Sequence, residues 1–112
     1  MGMFEELAID KIVADGDLDG LIAASILKTY YTDATIIFTH AAEIRGGHLD
    51  AIIDKNTAIC DLPFHPNCGL YLDHHSTNKP TKTELEVFTS SGGICEWYPV
   101  DSAARVAFDL FS

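Results

Sequence analysis

The chain has 112 residues, 47% of them hydrophobic, and its 17 acidic and 7 basic residues give a formal net charge of −10. That size and composition predict one globular domain with its own core, and the negative charge argues against a surface that binds the nucleic-acid backbone by itself. No apolar run approaches the roughly 20 residues of a membrane span, and the N-terminus lacks the features of a secretion signal, so we expect a cytoplasmic protein without a membrane partner.

The first half of the chain alternates apolar runs with a helical pattern. Lys11 to Ala14 is a β-branched and apolar run that predicts a strand, and it ends at the acidic turn Asp15-Gly16-Asp17-Leu18-Asp19-Gly20. Leu21 to Tyr31 is rich in Ala, Leu and Ile at helical spacings and predicts a helix. Thr35 to Thr39 predicts a second strand, and His48 to Ile53, after a pair of glycines, predicts a short helix.

The second half continues this alternation. Thr57 to Asp61 predicts a third strand, Leu70 to Leu72 a fourth and Leu85 to Thr89 a fifth. A final helix is predicted after the pair Asp101-Ser102, which can cap it, because apolar residues then recur at helical intervals as far as Phe111. Together these elements predict an α/β fold with a Rossmann-like, mostly parallel sheet of four or five strands and flanking helices.

Carboxylates follow three of the predicted strands. Asp17 comes after the first strand, Asp61 ends the third and Asp73 follows the fourth. Because the C-terminal ends of parallel strands lie along one edge of a sheet, where ligand sites gather, we expect these three side chains to lie close together.

The residue types at these strand ends favour a metal site. The carboxylates of Asp17 and Asp19 repel each other unless a cation or a shared proton offsets their charge, although a solvated acidic loop explains this turn alone equally well. Asp73 is followed by His74 and His75. Imidazole and carboxylate together suit Mn²⁺, Zn²⁺ or Fe²⁺ better than Ca²⁺, which prefers oxygen ligands alone.

The combined pattern resembles a known family. The residues that carry the resemblance are Asp15-x-Asp17-x-Asp19-Gly20, the strand-end Asp61, and Asp73-His74-His75, which are similar in order and relative spacing to motifs I, II and III of the DHH phosphoesterase superfamily. The resemblance implies a metal-dependent phosphoesterase that hydrolyses phosphodiester or phosphoanhydride bonds of nucleotides or single-stranded nucleic acid by a two-metal mechanism. The acid at position 15 makes the RecJ-like exonuclease branch the closer one.

The resemblance also implies how much of a family member is present. Residues 1–112 would be the N-terminal part of a DHH domain, without motif IV and without the C-terminal DHHA1-type domain that family members carry. We therefore expect a truncated domain with incomplete activity.

The same resemblance implies a role for each motif residue. Two Mn²⁺ ions, or Mg²⁺ or another divalent metal in their place, would be held by Asp17, Asp19, Asp61 and His74, with Asp61 between the two ions. The catalytic residues would be Asp73, His74 and His75, with Asp73 and His75 supporting the site and contacting substrate phosphate.

Further candidates come from the residues themselves. Asp15 belongs to the acidic turn, and His65 lies shortly after the third strand, so both are possible auxiliary residues. Arg105 and Arg45 are candidates for phosphate contact because a guanidinium fork suits phosphate oxygens, but solvated ion pairs remain the default interpretation of both. Trp97 is expected to pack in the core or an interface rather than to stack on a base.

Two other functions remain open. The segment Asp17-Leu18-Asp19-Gly20-Leu21 resembles the nucleophile loop of a haloacid-dehalogenase-like phosphatase, but the usual Thr after Gly20 is missing and the histidine pair is left unexplained. A non-catalytic metal- or nucleotide-binding module is the other alternative. An exposed apolar face or sheet edge would also favour a homo-oligomer, and the acidic composition favours a small nucleotide over long duplex DNA.

Overall fold

The computed structural model describes residues 7–75, 78–97 and 102–111. Within them lie the strands β1 (Lys11–Asp15), β2 (Thr35–Thr39), β3 (Thr57–Cys60), β4 (Leu70–Asp73) and β5 (Ile94–Trp97), and the helices α1 (Leu18–Tyr30), α2 (Ala41–Arg45), α3 (Lys82–Ser90) and α4 (Ala103–Phe111). The strands form one parallel sheet in the order β2-β1-β3-β4-β5. The α/β, Rossmann-like fold class is therefore confirmed. Each helix in the described ranges is too short or too polar to cross a bilayer.

The order of the strands changes direction between β1 and β3. From β1 the chain passes outward to β2, whereas β3, β4 and β5 are added in turn on the other side of β1. In doubly wound sheets of this order, ligands bind outside the C-terminal strand ends near this reversal. The acidic turn follows β1 directly, and so the fold brings it to the reversal point.

Both faces of the sheet are covered. Ile12 and Ala14 of β1 belong to an apolar layer shared with α1 and α4, while Val13, between them, points to the opposite layer, which contains Phe88 of α3. Successive side chains of a strand point to opposite faces of the sheet. When both faces are buried, each strand is therefore a continuous run of apolar residues in the sequence. This burial explains why the inner strands were recognisable in the sequence.

The predicted strand Leu85 to Thr89 is wrong, because these residues lie within α3. The segment is rich in apolar residues, as a strand is, but the N-terminal cap decides the structure. The Thr81 side chain accepts a hydrogen bond from the Glu84 backbone N–H, and the Glu84 carboxylate accepts one from the Thr81 N–H. This capping box fixes the first helical turn, and it leaves Val87 exposed while Phe88 is buried.

The predicted helix His48 to Ile53 is also wrong. These residues form turns, and the helix of this region, α2, lies before the glycine pair rather than after it. Gly47 has a φ of +79°, a conformation that commonly follows the end of a helix, so the glycines terminate α2. The fifth strand is β5, which pairs with β4 and was missed in the sequence.

The first and last helices are where they were predicted, with changes at their ends. Helix α1 begins at Leu18 rather than Leu21, since Asp17 is its N-cap. Helix α4 follows Ser102, whose hydroxyl accepts a hydrogen bond from the Arg105 backbone N–H at 3.1 Å. The other predicted cap, Asp101, lies outside the described residues.

Candidate metal centre

Two sets of ligand-type side chains meet at the C-terminal edge of the sheet. In each set, one possible ligand atom per residue lies within 4.8 Å of the others. The first set is Asp61, Asp73, His74 and His75, and the second is Asp15, Asp17 and Asp61. Asp61 belongs to both sets, so the sheet edge brings the predicted strand-end carboxylates together around one shared residue.

Asp61 has an unusual backbone conformation. It follows β3 directly with a φ of +63°, a backbone angle that residues other than Gly, Asn and Asp rarely adopt. Its N–H donates to the carbonyl oxygen of Leu72 on the neighbouring strand at 3.1 Å. The chain therefore turns sharply at the end of β3, and Asp61 is only 3% exposed. A strained position of this kind is often found at a functional site.

The surroundings of Asp61 disfavour its charged form. Burial is the largest cause, and the negative charges of Asp19, Asp17 and Asp73 add to it, so the pKa of Asp61 is raised to about 9. A buried carboxylate among other carboxylates needs either a proton or a cation to offset its charge. The centre therefore has the electrostatics of a cation site.

The hydrogen bonding of Asp61 gives a direct test of whether a metal fits. Its Oδ1 is buried and accepts no hydrogen bond within the described residues. His74 Nε2 and His75 Nδ1 each lie 3.6 Å from this oxygen. Buried acceptors are normally satisfied, and a divalent ion held between Asp61 Oδ1 and His74 Nε2 would satisfy this oxygen, so the donor set fits a transition metal.

Asp15 and Asp17 are held by the turn that joins β1 to α1. Asp15 Oδ1 accepts from the Asp17 N–H at 3.1 Å, and Asp17 Oδ1 accepts from the Gly20 N–H at 2.8 Å. The second bond makes Asp17 the N-cap of α1. Gly20 is needed because a Cβ there would overlap the carbonyl oxygen of Asp15, and so the helix can start this close to the strand.

Asp19 lies at the margin of the centre and belongs to neither set. Its two carboxylate oxygens accept hydrogen bonds from the Ala103 and Ala104 N–H groups at 2.9 and 2.8 Å. Asp19 Oδ2 also lies 3.4 Å from His74 Nε2. Asp19 thus caps α4 and connects the start of that helix to the centre.

Asp73 is fully buried and orients His75. Asp73 Oδ1 lies 2.9 Å from His75 Nδ1, and Asp73 Oδ2 lies 3.1 Å from the Tyr71 hydroxyl. This contact turns the Nδ1 of His75 towards Asp73 and leaves its Nε2 for another partner. The Tyr71 hydroxyl is also 2.8 Å from the Leu62 carbonyl oxygen and 3.1 Å from that of Asn78.

Tyr71 was not singled out in the sequence. The available signal is its position two residues before Asp73 on the same strand, which puts both side chains on one face of the sheet. A polar tip on a buried aromatic residue usually finds a partner, and here the hydroxyl lies within hydrogen-bonding distance of two backbone carbonyl oxygens and of the carboxylate beside the histidine pair.

Two auxiliary candidates lie outside the centre. His65 Nε2 is 2.8 Å from Asp50 Oδ1, so this histidine is engaged by a carboxylate of the loop before β3. Arg105 pairs with Asp109 one turn along α4, at 3.1 Å and with both side chains exposed. The solvated ion pair considered for Arg105 is therefore what the structure has.

Arg45 contacts a residue that follows the histidine pair in the chain. Its Nη2 donates to Asn78 Oδ1 at 3.0 Å, and the carbonyl oxygen of Asn78 is 3.1 Å from the Tyr71 hydroxyl. Arg45 therefore contacts the loop that follows the histidine pair.

Comparisons with known proteins show a similarity to a solved structure. No family model matches the sequence, and no curated protein matches it. Among solved structures, the chain is similar to a pGpG-specific phosphodiesterase, PggH from Vibrio cholerae, with a TM-score of 0.66 and 27% sequence identity. The match covers 92% of this chain and 30% of that protein. This similarity supports a phosphodiesterase fold, but it gives no support to the RecJ-like branch.

Proposed function

We propose that this chain carries the metal centre of a DHH-type phosphodiesterase that hydrolyses short nucleotides. The observation that carries the proposal is the convergence of two ligand sets on the shared, buried Asp61 at the C-terminal strand ends. Two-metal hydrolases use a carboxylate between two ions in this way. The order of the three motifs along the chain supports the same family.

The structural relative supports the substrate class. Its name states that it is specific for pGpG, a linear dinucleotide, and the formal charge of −10 disfavours a long polyanion. This chain spans about 30% of the length of that protein. The substrate of that protein is therefore carried over to this chain only as part of the proposal. We propose a short linear nucleotide.

The donor types support Mn²⁺ as the metal. One set contributes carboxylates only, from Asp15, Asp17 and Asp61, and in the other set the imidazole of His74 would join Asp61 as a ligand. Mixed oxygen and nitrogen donors suit Mn²⁺ and neighbouring transition metals. Bound divalent ions would supply positive charge that stabilises the transition state at phosphorus and would make water more acidic.

The residues of the chain would divide the remaining work. The buried carboxylate of Asp73 holds the His75 ring through its Nδ1 at 2.9 Å, so His75 Nε2 can donate to or accept from a phosphate oxygen. Asp19 fixes the start of α4 against the centre, and this limits how far α1 and its acidic turn can move. Positioned groups lower the barrier because their orientation is set before the reaction begins.

The proposal is tested by assaying pGpG hydrolysis with Mn²⁺ and without it. We expect Mn²⁺-dependent release of mononucleotide, and we expect His75→Asn to lower the rate by roughly 10²- to 10⁴-fold, as for the loss of an acid–base group. His65→Gln is the matched control, since His65 bonds Asp50 outside the centre, and it should stay within about twofold of the wild type.

Other outcomes would point to the alternatives. Mn²⁺ binding without turnover of any nucleotide would contradict the enzyme and favour a binding module. A trapped phosphoryl group on Asp17 would favour the haloacid-dehalogenase-like phosphatase, in which the aspartate is a nucleophile.

A further inference from the structure

A cavity of about 380 Å³ opens beside the proposed metal centre. Its lining residues are Lys79, Pro80, Leu85, Cys95 and Trp97. The walls thus combine one large aromatic ring, one cation and aliphatic groups. Concave sites with apolar walls and a few polar groups are typical of small-ligand pockets.

The cavity is joined to the centre through Trp97. This residue ends β5 and is paired in register with Asp73 on β4. Its indole Nε1–H donates to the backbone carbonyl oxygen of His75 at 2.9 Å. A ligand against the indole would therefore lie next to the histidine that we place at the phosphate.

Lys79 brings positive charge to the same cavity. Its Nζ lies 4.5 Å from the centroid of the Trp97 ring, and within the described parts of the chain it forms no ion pair with a carboxylate. In a chain with a net charge of −10, an anionic substrate needs a local cation to approach. Lys79 stands on the loop between the histidine pair and α3, where it can provide that charge.

We propose that this cavity is a nucleotide subsite, in which the base stacks on Trp97 and Lys79 contacts a phosphate. The inference rests on the proposed function, because it assigns the nucleotide attached to the phosphate ester at the metal centre. It also replaces the expectation that Trp97 only packs: the ring is partly exposed and lines a cavity.

In this subsite a base would replace Lys79 on the face of the Trp97 ring, and the relative strengths of the two contacts favour that replacement. An exposed cation–π contact changes a binding constant by roughly two- to fivefold. Stacking of a base on an aromatic side chain contributes roughly 5- to 150-fold. Moving Lys79 from the ring to a phosphate would therefore be more than offset by the base that takes its place.

The first test uses the fact that Trp97 is the one tryptophan of the chain. Intrinsic fluorescence then reports on this cavity directly. We expect GMP to quench the emission in a saturable way, with or without metal, whereas ribose 5-phosphate, which lacks the base, leaves it unchanged. An unchanged emission up to millimolar GMP would overturn the subsite.

Substitutions separate stacking from the hydrogen bond to His75. Calorimetric titration with GMP should give roughly tenfold weaker binding for Trp97→Leu but nearly normal binding for Trp97→Phe, which keeps a ring and loses the indole N–H. Phe38→Leu is the control, because Phe38 is an exposed aromatic residue on the edge strand β2. Equal losses for Trp97→Leu and Trp97→Phe would contradict stacking.

A second pair of variants tests the cation. Lys79→Gln should weaken the binding of GMP about fivefold relative to that of guanosine, which lacks the phosphate and, without Lys79 on the ring, should bind at least as tightly as to the wild type. Lys55→Gln is the matched control, since Lys55 also lies over an aromatic ring, 5.3 Å from the Phe88 centroid. Equal effects of both substitutions, or a loss of guanosine binding with Lys79→Gln, would contradict the assignment.

The subsite and the proposed function can fail separately. Mn²⁺-dependent hydrolysis of pGpG with an unchanged KM in Trp97→Leu would overturn the subsite and leave the function standing. GMP binding that depends on Trp97 and Lys79, in a protein that hydrolyses no nucleotide, would support the subsite and contradict the enzyme.

Discussion

At the scale of single residues, Asp61 brings backbone, burial and charge together. The positive φ turns its carboxylate into the sheet edge, and burial with neighbouring carboxylates raises its pKa to about 9. In the metal-free fold the carboxyl group therefore keeps its proton at neutral pH, whereas in the unfolded chain it loses the proton near pH 4. A metal that binds there must displace this proton, so uptake should improve as the pH rises.

The stability of the metal-free protein should report the same shift. A group with a raised pKa in the folded state stabilises the fold below its unfolded pKa, and this contribution is lost as the pH rises towards the folded value. We expect the wild type to lose stability relative to Asp61→Asn by roughly 1 kcal/mol per pH unit between about pH 5 and 8. Urea unfolding in the presence of a chelator measures this difference.

The control for this prediction is Asp33→Asn, which changes an exposed carboxylate before β2. Its stability should follow that of the wild type across the same pH range. A constant difference between the wild type and Asp61→Asn from pH 5 to 8 would contradict the raised pKa.

Tyr71 is a positioning residue for His75. Removing its hydroxyl in Tyr71→Phe leaves Asp73 Oδ2 without the donor that lies 3.1 Å away, so the carboxylate should hold the His75 ring less firmly. We expect the ¹⁵N resonances of His75 to shift towards a mixture of tautomers, and kcat to fall roughly 10-fold at a similar KM. Tyr31→Phe, another buried tyrosine, should change neither quantity. A loss of stability alone in Tyr71→Phe would mean that Tyr71 only packs.

The site residues differ in how far the sequence could reveal them. Asp61 and Asp73 follow apolar runs directly, so their meeting at one sheet edge was predictable and is confirmed. The capping of α4 by Asp19 could not be predicted, because its partners Ala103 and Ala104 lie far along the chain. Contacts of this kind depend on the packing of two helices and leave no local pattern.

At the scale of elements, the pattern of apolar residues and the helix-capping residues predicted different secondary structures, and the capping residues were the better guide. The run from Leu85 to Thr89 is rich in apolar residues, as a strand is, but Thr81 and Glu84 form a capping box that was already visible in the sequence. Residues 94–97 form β5 with an acidic residue inside it, and all four residues are half-buried. A partly exposed strand at the sheet edge lacks the continuous apolar run that identified β1, β3 and β4.

The junction of β1 and α1 makes a prediction at this scale. A side chain at Gly20 would overlap the backbone of Asp15, whereas nothing lies within 4 Å of a Cβ at Gly16. Gly20→Ala should therefore push α1 away from β1 and lower the free energy of unfolding by about 2 to 4 kcal/mol. Gly16→Ala, four residues earlier in the same turn, should cost less than about 1 kcal/mol. Thermal unfolding compares the two, and similar losses would contradict this close approach.

At the scale of the whole molecule, topology determines where the chemistry lies. The reversal between β1 and β3 puts the ends of these strands side by side, and β4 adds the histidine pair next to them. The parallel sheet and this edge could be predicted from the alternation of apolar runs and helical patterns. The cavity at Trp97 could not, since it depends on the register of β5 against β4.

The most direct test of the account is a calorimetric titration of the chelator-treated protein with Mn²⁺. We predict two ions per chain at micromolar affinity for the wild type, unchanged binding for His65→Gln, and loss of both ions for Asp61→Asn, because the two ligand sets share that carboxylate. A wild type that binds no Mn²⁺ at micromolar concentration, or an Asp61→Asn variant that still binds two ions, would contradict the shared centre.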